Sequence, residues 1–297
     1  MFQFRLSPGS AERIIRFSRR KSSVAFGLLL GLQSFSAHAD DIDLYVLAGQ
    51  SNAQGWMGNA AEYPADPNKI DETIPLYWNS PGISNSGQKW TTLKPQGGRF
   101  PAGHFGAEVT FARTLARESQ QGFGKSRPAI FKCTLGSTSI ASFWKTPGDG
   151  GQFDKMMAEL KSAIPLLEEN GKHRVHVAGF IWIQGESDAQ NPGLVKNYGP
   201  ALLKIVTEFR RQCGQDVPVI LGVDEQHQWV VANPGVIEAQ QVIARKFPRI
   251  TTTSLIGLEK ADVTHLTPAA LVEQGQRLYV QLRQIQPVTT QPVKAKN

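Results

Sequence analysis

The chain has 297 residues, 40% of them hydrophobic and 19% charged, ordinary values for a globular protein able to bury a substantial core. Its net charge of +7 suggests a polyanionic partner only until the charge is located: residues 1–39 carry six Lys/Arg and Glu12, a net of +5, which leaves about +2 for the rest. Nucleic-acid binding therefore loses its main support, and no apolar run reaches the 18 or so residues that a membrane span needs.

The first segment reads as a secretory signal peptide over 1–39. Arg5, Arg13, Arg16, Arg19, Arg20 and Lys21 precede a short apolar run at 24–32, and Ala37-His38-Ala39 supplies small residues where a signal peptidase reads. Ser18-Arg19-Arg20 hints at twin-arginine export, yet Ser22 and Ser23 stand where that route prefers bulky apolar residues. The expectation is a periplasmic or secreted protein whose mature chain starts at 40.

After it, apolar runs predict strands at 43–48, 128–135, 175–183, 217–223 and 250–255. They are near-continuous rather than alternating, as parallel strands covered on both faces should be. Helical stripes lie between them, around 107–117, 153–167 (with Pro165 expected to kink or split it), 198–209 and 234–246. A last helix opens at Thr267-Pro268, a cap followed by Pro at the first helical position. Strict strand–helix alternation predicts one α/β domain at 40–286 with a central, mostly parallel five-stranded sheet and helices on both sides. The stretch 56–101, rich in Gly, Pro, Asn and Ser, reads as a long functional loop, and 287–297 as a flexible tail. Cys133 and Cys213 are the only cysteines; an oxidising compartment would let them pair, whereas the apolar run around Cys133 suits a buried free thiol equally well.

Active sites of parallel sheets lie beyond the carboxyl ends of the strands, and four segments there carry the groups of acyl transfer. Gly49-Gln50-Ser51-Asn52 puts a hydroxyl just past a buried strand, although Ala53 departs from the Gly-x-Ser-x-Gly elbow and a helix cap would look similar. Asp262-Val263-Thr264-His265 lets a carboxylate orient an imidazole that takes the Ser51 proton. Gly136 offers an unobstructed backbone N–H to an oxyanion. In Gln184-Gly185-Glu186-Ser187-Asp188, Gln184 is a second candidate donor, while Glu186 and Asp188 are alternative acids or caps.

Taken together, Gly49-Gln50-Ser51-Asn52, Gly136 with Ile140 and Trp144, Trp182-x-Gln184-Gly185-Glu186-x-Asp188, and Asp262-x-x-His265 resemble the SGNH hydrolases. Within them they are similar to the branch of sialate O-acetylesterases and family-six carbohydrate esterases (acetylxylan esterases). That resemblance implies a three-layer α/β/α flavodoxin-like domain that removes O-acetyl groups from sugars without metal or cofactor. Carried over, it makes Ser51 the nucleophile, His265 the base and Asp262 its orienting acid. The N–H groups of Ser51 and Gly136 and the side chain of Gln184 would form the oxyanion hole, with Gln50, Asn52 and Glu186 in support. The family's second block has two adjacent glycines where this chain has Leu135-Gly136.

Trp56, Trp78, Trp90, Trp144 and Trp229 fall in or near loops, where an indole either stacks on a sugar or pins its own loop; Trp144 is the leading candidate for substrate contact. His173-x-x-His176 and Glu225-x-His227 are loose pairs without a third metal ligand, and no phosphate-binding Gly loop occurs. The expected partner is an acetylated carbohydrate, with no nucleic acid and no membrane span in the mature chain. Rival readings are a lipid esterase or an acyltransferase on the same scaffold, or a glycan-binding protein without turnover.

Overall fold

The computed structural model describes residues 40–80, 89–123 and 126–286. The expected signal segment and the C-terminal tail lie outside the described residues.

In chain order the elements are β1 (Asp40–Gly49), α1 (Ser51–Gln54), β2 (Pro75–Trp78), β3 (Thr91–Thr92), α2 (Glu108–Gln120), β4 (Arg127–Thr134), α3 (Gln152–Glu168), β5 (His173–Ile183), α4 (Glu186–Ala189), α5 (Pro192–Cys213), β6 (Val219–Val223), α6 (Gln228–Ala232), α7 (Gly235–Lys246), β7 (Ile250–Ser254) and α8 (Pro268–Ile285). Among the described residues, seven strands form one sheet in the order β3-β2-β4-β1-β5-β6-β7, parallel except for β3. The five expected strands are β1 and β4 to β7. The expected count of five is corrected to seven by β2 and β3, two short strands inside the stretch read as a loop.

The near-continuous apolar runs follow from two covered faces. In β1, Ile42, Leu44, Val46 and Ala48 point to one side and join Phe131, Cys133, Phe180 and Trp182 in a core completed by α3, α5 and α7. Tyr45 and Leu47 point to the other, with Ile130, Ile181 and Ile220, against α2 and α8. Because side chains alternate along a strand, a strand buried on both faces must be apolar at every position. α3 runs unbroken through Pro165, which stands three residues before its end, where little helix remains to be disturbed. Thr267 caps α8 by accepting the N–H of Ala270.

Cys133 is buried, and both cysteines are free thiols. Burial pushes the Cys133 thiol up to about 12, although Gln152 donates a hydrogen bond to it.

The topology locates the crevice. From β1 the chain places β4 on one side and β5 on the other, so the loops leaving these strands diverge above β1. In open α/β sheets that divergence is where ligands bind.

Candidate active site

Ser51 is the first residue of α1, reached directly from the end of β1. The approach is tight. Gly49 has φ +142°, and a Cβ on it would come within 2.1 Å of the Ile183 carbonyl oxygen, so only glycine lets β1 turn off beside β5 here. At the other end of α1, Lys132 donates from Nζ to the Gln54 carbonyl at 2.9 Å. That lysine is fully buried on β4, paired with Glu108 at 2.8 Å and seated 3.9 Å over the Trp78 ring. Burial pulls its pKa down, against the opposing pull of Glu108. Ser51 is thus held between a strand end and a capped helix end. Among the described residues, neither its hydroxyl nor its N–H has a hydrogen-bond partner.

Asp262 and His265 sit on a hairpin-like loop between β7 and α8. The loop is closed on itself by a Lys260–Leu266 bridge and by bonds from the N–H of Ala261 to the His265 carbonyl and from the N–H of Thr267 to the Glu259 carbonyl. Asp262 accepts the backbone N–H groups of Thr264 at 2.8 Å and His265 at 2.7 Å, and meets His265 Nδ1 at 2.8 Å. Burial works to raise its pKa, but the ring and the two N–H groups outweigh it and hold the carboxyl down at about 2. The fixed anion keeps the proton on Nδ1 and leaves Nε2 as the free ring nitrogen.

Asn52, beside Ser51 and buried, joins the two halves. Its Nδ2 donates to the Thr264 carbonyl at 3.1 Å and its Oδ1 accepts the Leu266 N–H at 3.3 Å, gripping the backbone on either side of His265. Trp56 is fixed from the same helix, its N–H on the Ser51 carbonyl at 3.1 Å and its ring 5.9 Å from the His265 ring.

The expected oxyanion donors are arranged differently from the expectation. A Cβ on Gly136 would lie 3.4 Å from the Ser51 Cβ, so this backbone touches the serine, but its N–H donates to Gln54 Oε1 at 3.1 Å. Gln184 is fully buried, and its amide donates to the Thr138 carbonyl at 3.0 Å and to Asp188 at 2.6 Å, with Gln50 Oε1 farther off at 3.4 Å. Both amide hydrogens are committed. Gln184 is corrected from oxyanion donor to brace, tying the turn after β4 to the end of β5.

Asp188, besides holding Gln184, accepts the N–H groups of Ile140 and Ala141 and so caps the π-helical turn Ile140–Trp144. Glu186 is buried and accepts the Asp224 N–H at 2.9 Å. Gln50, also buried, donates its N–H to the Ile183 carbonyl. Trp144 is corrected from substrate contact to core: it is fully buried, its Nε1 donates to Thr138 and its ring packs edge-on against Trp182. Trp78 is fully buried and Trp90 packs on Tyr77. Trp56, half-buried beside His265, is the tryptophan that reaches the site. Asp224 and Lys260, which also pack behind the loop, carried no sequence motif, and His227 stood out only in the loose Glu225-x-His227 pair. Among the described residues, no group of three or more His, Cys, Asp or Glu is placed to hold a metal ion, and no helix is long and apolar enough to cross a membrane.

A family model described as carbohydrate esterase, sialic acid-specific acetylesterase matches residues 41–284. No curated protein matches the sequence. The fold is similar to a protein from Arabidopsis thaliana (18% identity, 83% of this chain and 98% of that one, TM-score 0.59). It is also similar to NanS (16% identity, 83% and 98%, TM-score 0.60). A carbohydrate acetylesterase from Xanthomonas citri is similar too (19% identity, TM-score 0.51), this match spanning 82% of the present chain and 56% of that one.

Proposed function

The chain belongs to the carbohydrate esterase family of sialic acid-specific acetylesterases and is a carbohydrate O-acetylesterase; from that membership we propose that Ser51, His265 and Asp262 carry out the hydrolysis through an acetyl-enzyme. Ser51 Oγ attacks the acetyl carbonyl carbon while His265 Nε2 takes its proton, and Asp262 orients the ring and stabilises the imidazolium. The C=O electrons move onto the oxygen. The Ser51 N–H, the donor with no protein partner among the described residues, receives that oxyanion, and the Gly136 N–H joins once the Gln54 side chain yields it. Collapse breaks the ester bond, and the sugar oxygen leaves with the proton from His265. Water then attacks the acetyl-enzyme with His265 again as base, releasing acetate and Ser51.

The observation that carries this reading is the grip of Asn52. The residue next to Ser51 bonds to the backbone before and after His265, so the helix that begins at Ser51 and the loop that carries His265 are tied across more than two hundred residues of sequence. Trp56 supports a sugar substrate, since it offers an aromatic face beside the base. Export of the mature domain 40–286, after removal of 1–39, is part of the same proposal and rests on the sequence grammar of that segment.

The test is acetate release from an acetylated sugar. Ser51→Ala is expected to lower kcat by about 10⁴-fold or more with the melting temperature preserved. Turnover near the wild-type rate would overturn the assignment, and acetyl appearing on a second sugar instead of as acetate would make the enzyme a transferase.

A further inference from the structure

Four consecutive residues at the end of β6 each reach the segment that carries the proposed base. Asp224, fully buried, holds Lys260 Nζ at 2.7 Å. Glu225 accepts the Leu255 N–H at 2.9 Å, and Gln226 meets the Gly257 N–H at 3.5 Å. His227 Nε2 faces Thr264 Oγ1 at 3.4 Å. The tautomer of His227 is set locally: it caps α6, its Nδ1 accepting the Trp229 N–H at 3.2 Å, which leaves the ring proton on Nε2 to be donated to the threonine. The turn is itself braced, because the Asp224 N–H donates to buried Glu186 and Asp224 Oδ1 accepts the Gln226 N–H.

The loop needs such holding. Packing at its tip is slight, Val263 being 81% exposed, and its anchors in the core are Leu258 and Leu266. Lys260 stands two residues before Asp262 and Thr264 one before His265, so the contacts bracket the acid–base pair. Asn52 grips the loop from the β1 side. Without a second hold from the β6 side the loop would remain free to rock about that attachment, and a displacement near 1 Å at a reacting group costs about 10²-fold in rate.

We propose that the 224–227 turn is a latch, with His227 and the Asp224–Lys260 pair as positioning residues that hold the Asp262–His265 loop over Ser51. The inference rests on the reading of His265 as the base. It also divides the Gln184-Gly185-Glu186 block between two duties, with Gln184 bracing the β4 turn and Glu186 bracing the latch.

The test separates positioning from plain stability. His227→Asn keeps a good helix cap for α6 but is too short to reach Thr264, and Thr264→Val removes the hydroxyl while keeping the branched shape. Each is expected to lower kcat about tenfold, with KM within about twofold and little change in melting temperature. The double variant should be no worse than the worse single one, since both break the same contact, and Thr264→Ser should recover the rate. Lys260→Met combined with Asp224→Asn, which strands no buried charge, should show a similar kcat loss. Wild-type kcat in His227→Asn and Thr264→Val, or additive losses that track the melting temperature, would overturn the latch. Ser51→Ala and His265→Ala, measured alongside, distinguish the failures. If they are inactive while the latch variants are normal, the latch alone is wrong; if they stay active, the assignment of the base is wrong.

Discussion

Asn52 links Ser51 to the backbone around His265, but the two residues are held by different means. Around the serine, Gly49 is in steric contact with β5, Lys132 caps α1 from a fully buried pair, and Gln50, Asn52 and Gln54 are all buried. Around the histidine, the loop is short of packing: the Asp262 side chain is 42% exposed, and a handful of hydrogen bonds with one ion pair fix the segment. The proposed nucleophile is positioned by the same contacts that stabilise the domain. The proposed base is positioned by a few polar contacts on a loop whose tip packs little. Substitutions among the groups that hold the serine, such as Gly49 and Lys132, should therefore damage stability and rate together, and those in the second region should damage rate alone.

The sharpest test of that contrast lies on the loop. Asp262→Asn and His265→Ala are expected to lower kcat for acetate release by about 10³–10⁴-fold, because the ring loses its orientation or its base. Their melting temperatures should stay within a few degrees of wild type, since Asp262 is largely solvated and the loop tip packs little. A large fall in melting temperature for either would erase the distinction between the two regions.

At the serine the expected signature is the reverse. Lys132→Met strands the Glu108 carboxylate in the core, and breaking a buried pair in this way costs about 3–5 kcal/mol. Gly49→Ala forces a Cβ onto the Ile183 carbonyl at a backbone angle that L residues rarely adopt, and should cost a similar amount. Chemical denaturation of both variants would show it, and a tolerated Gly49→Ala would mean that β1 can shift away from β5 without loss.

Glu186 lies between the two regions and makes the contrast depend on pH. Burial, above all, raises its pKa from 4.5 to about 7, with Asp224 adding to the rise and the Asp224 N–H and Lys260 opposing it. The folded state therefore keeps a proton that the unfolded chain has already released between pH 4.5 and 7, so unfolding becomes easier as pH rises through that window. The loss is on the order of 3 kcal/mol at most, fully developed above pH 7. Glu186→Gln should flatten the stability profile between pH 5 and 7, and a profile as steep as wild type would assign the effect to another group.

Much of the contrast was legible in the sequence, and the reasons for the rest are physical. β1 and β5 were readable because strands buried on both faces have to be apolar at every position, and α8 because Thr267-Pro268 is a local start signal. The Asp262-x-x-His265 pair was readable because its geometry is also local. β2 and β3 were not, since Pro75–Trp78 and Thr91–Thr92 are too short for any periodicity to show among the prolines and glycines around them. The misreadings at Trp144 and Gln184 share one cause: sequence order places a residue near a strand end, whereas what covers it comes from chain tens of residues away, Trp182 against Trp144 and the Thr138 carbonyl on Gln184. The same holds for Asn52 and for His227, whose partners lie 212 and 37 positions along the chain.

The smallest expected effect concerns Trp56. Trp56 is tied to the serine's helix by its backbone N–H and faces the His265 ring with its own, so it touches both regions at once. Its half-buried indole also carries the Arg99 guanidinium 5.5 Å from the ring centre. If a sugar ring leans on that face, the contact is made equally in the ground state and the transition state. Trp56→Leu should then raise KM for an acetylated sugar about five- to tenfold with kcat little changed, the range of an aromatic contact near 1 kcal/mol. A small ester such as p-nitrophenyl acetate, which lacks the sugar, should show no change in either constant. Equal losses on both substrates would instead make Trp56 a packing element of the His265 loop and move it from the substrate to the base.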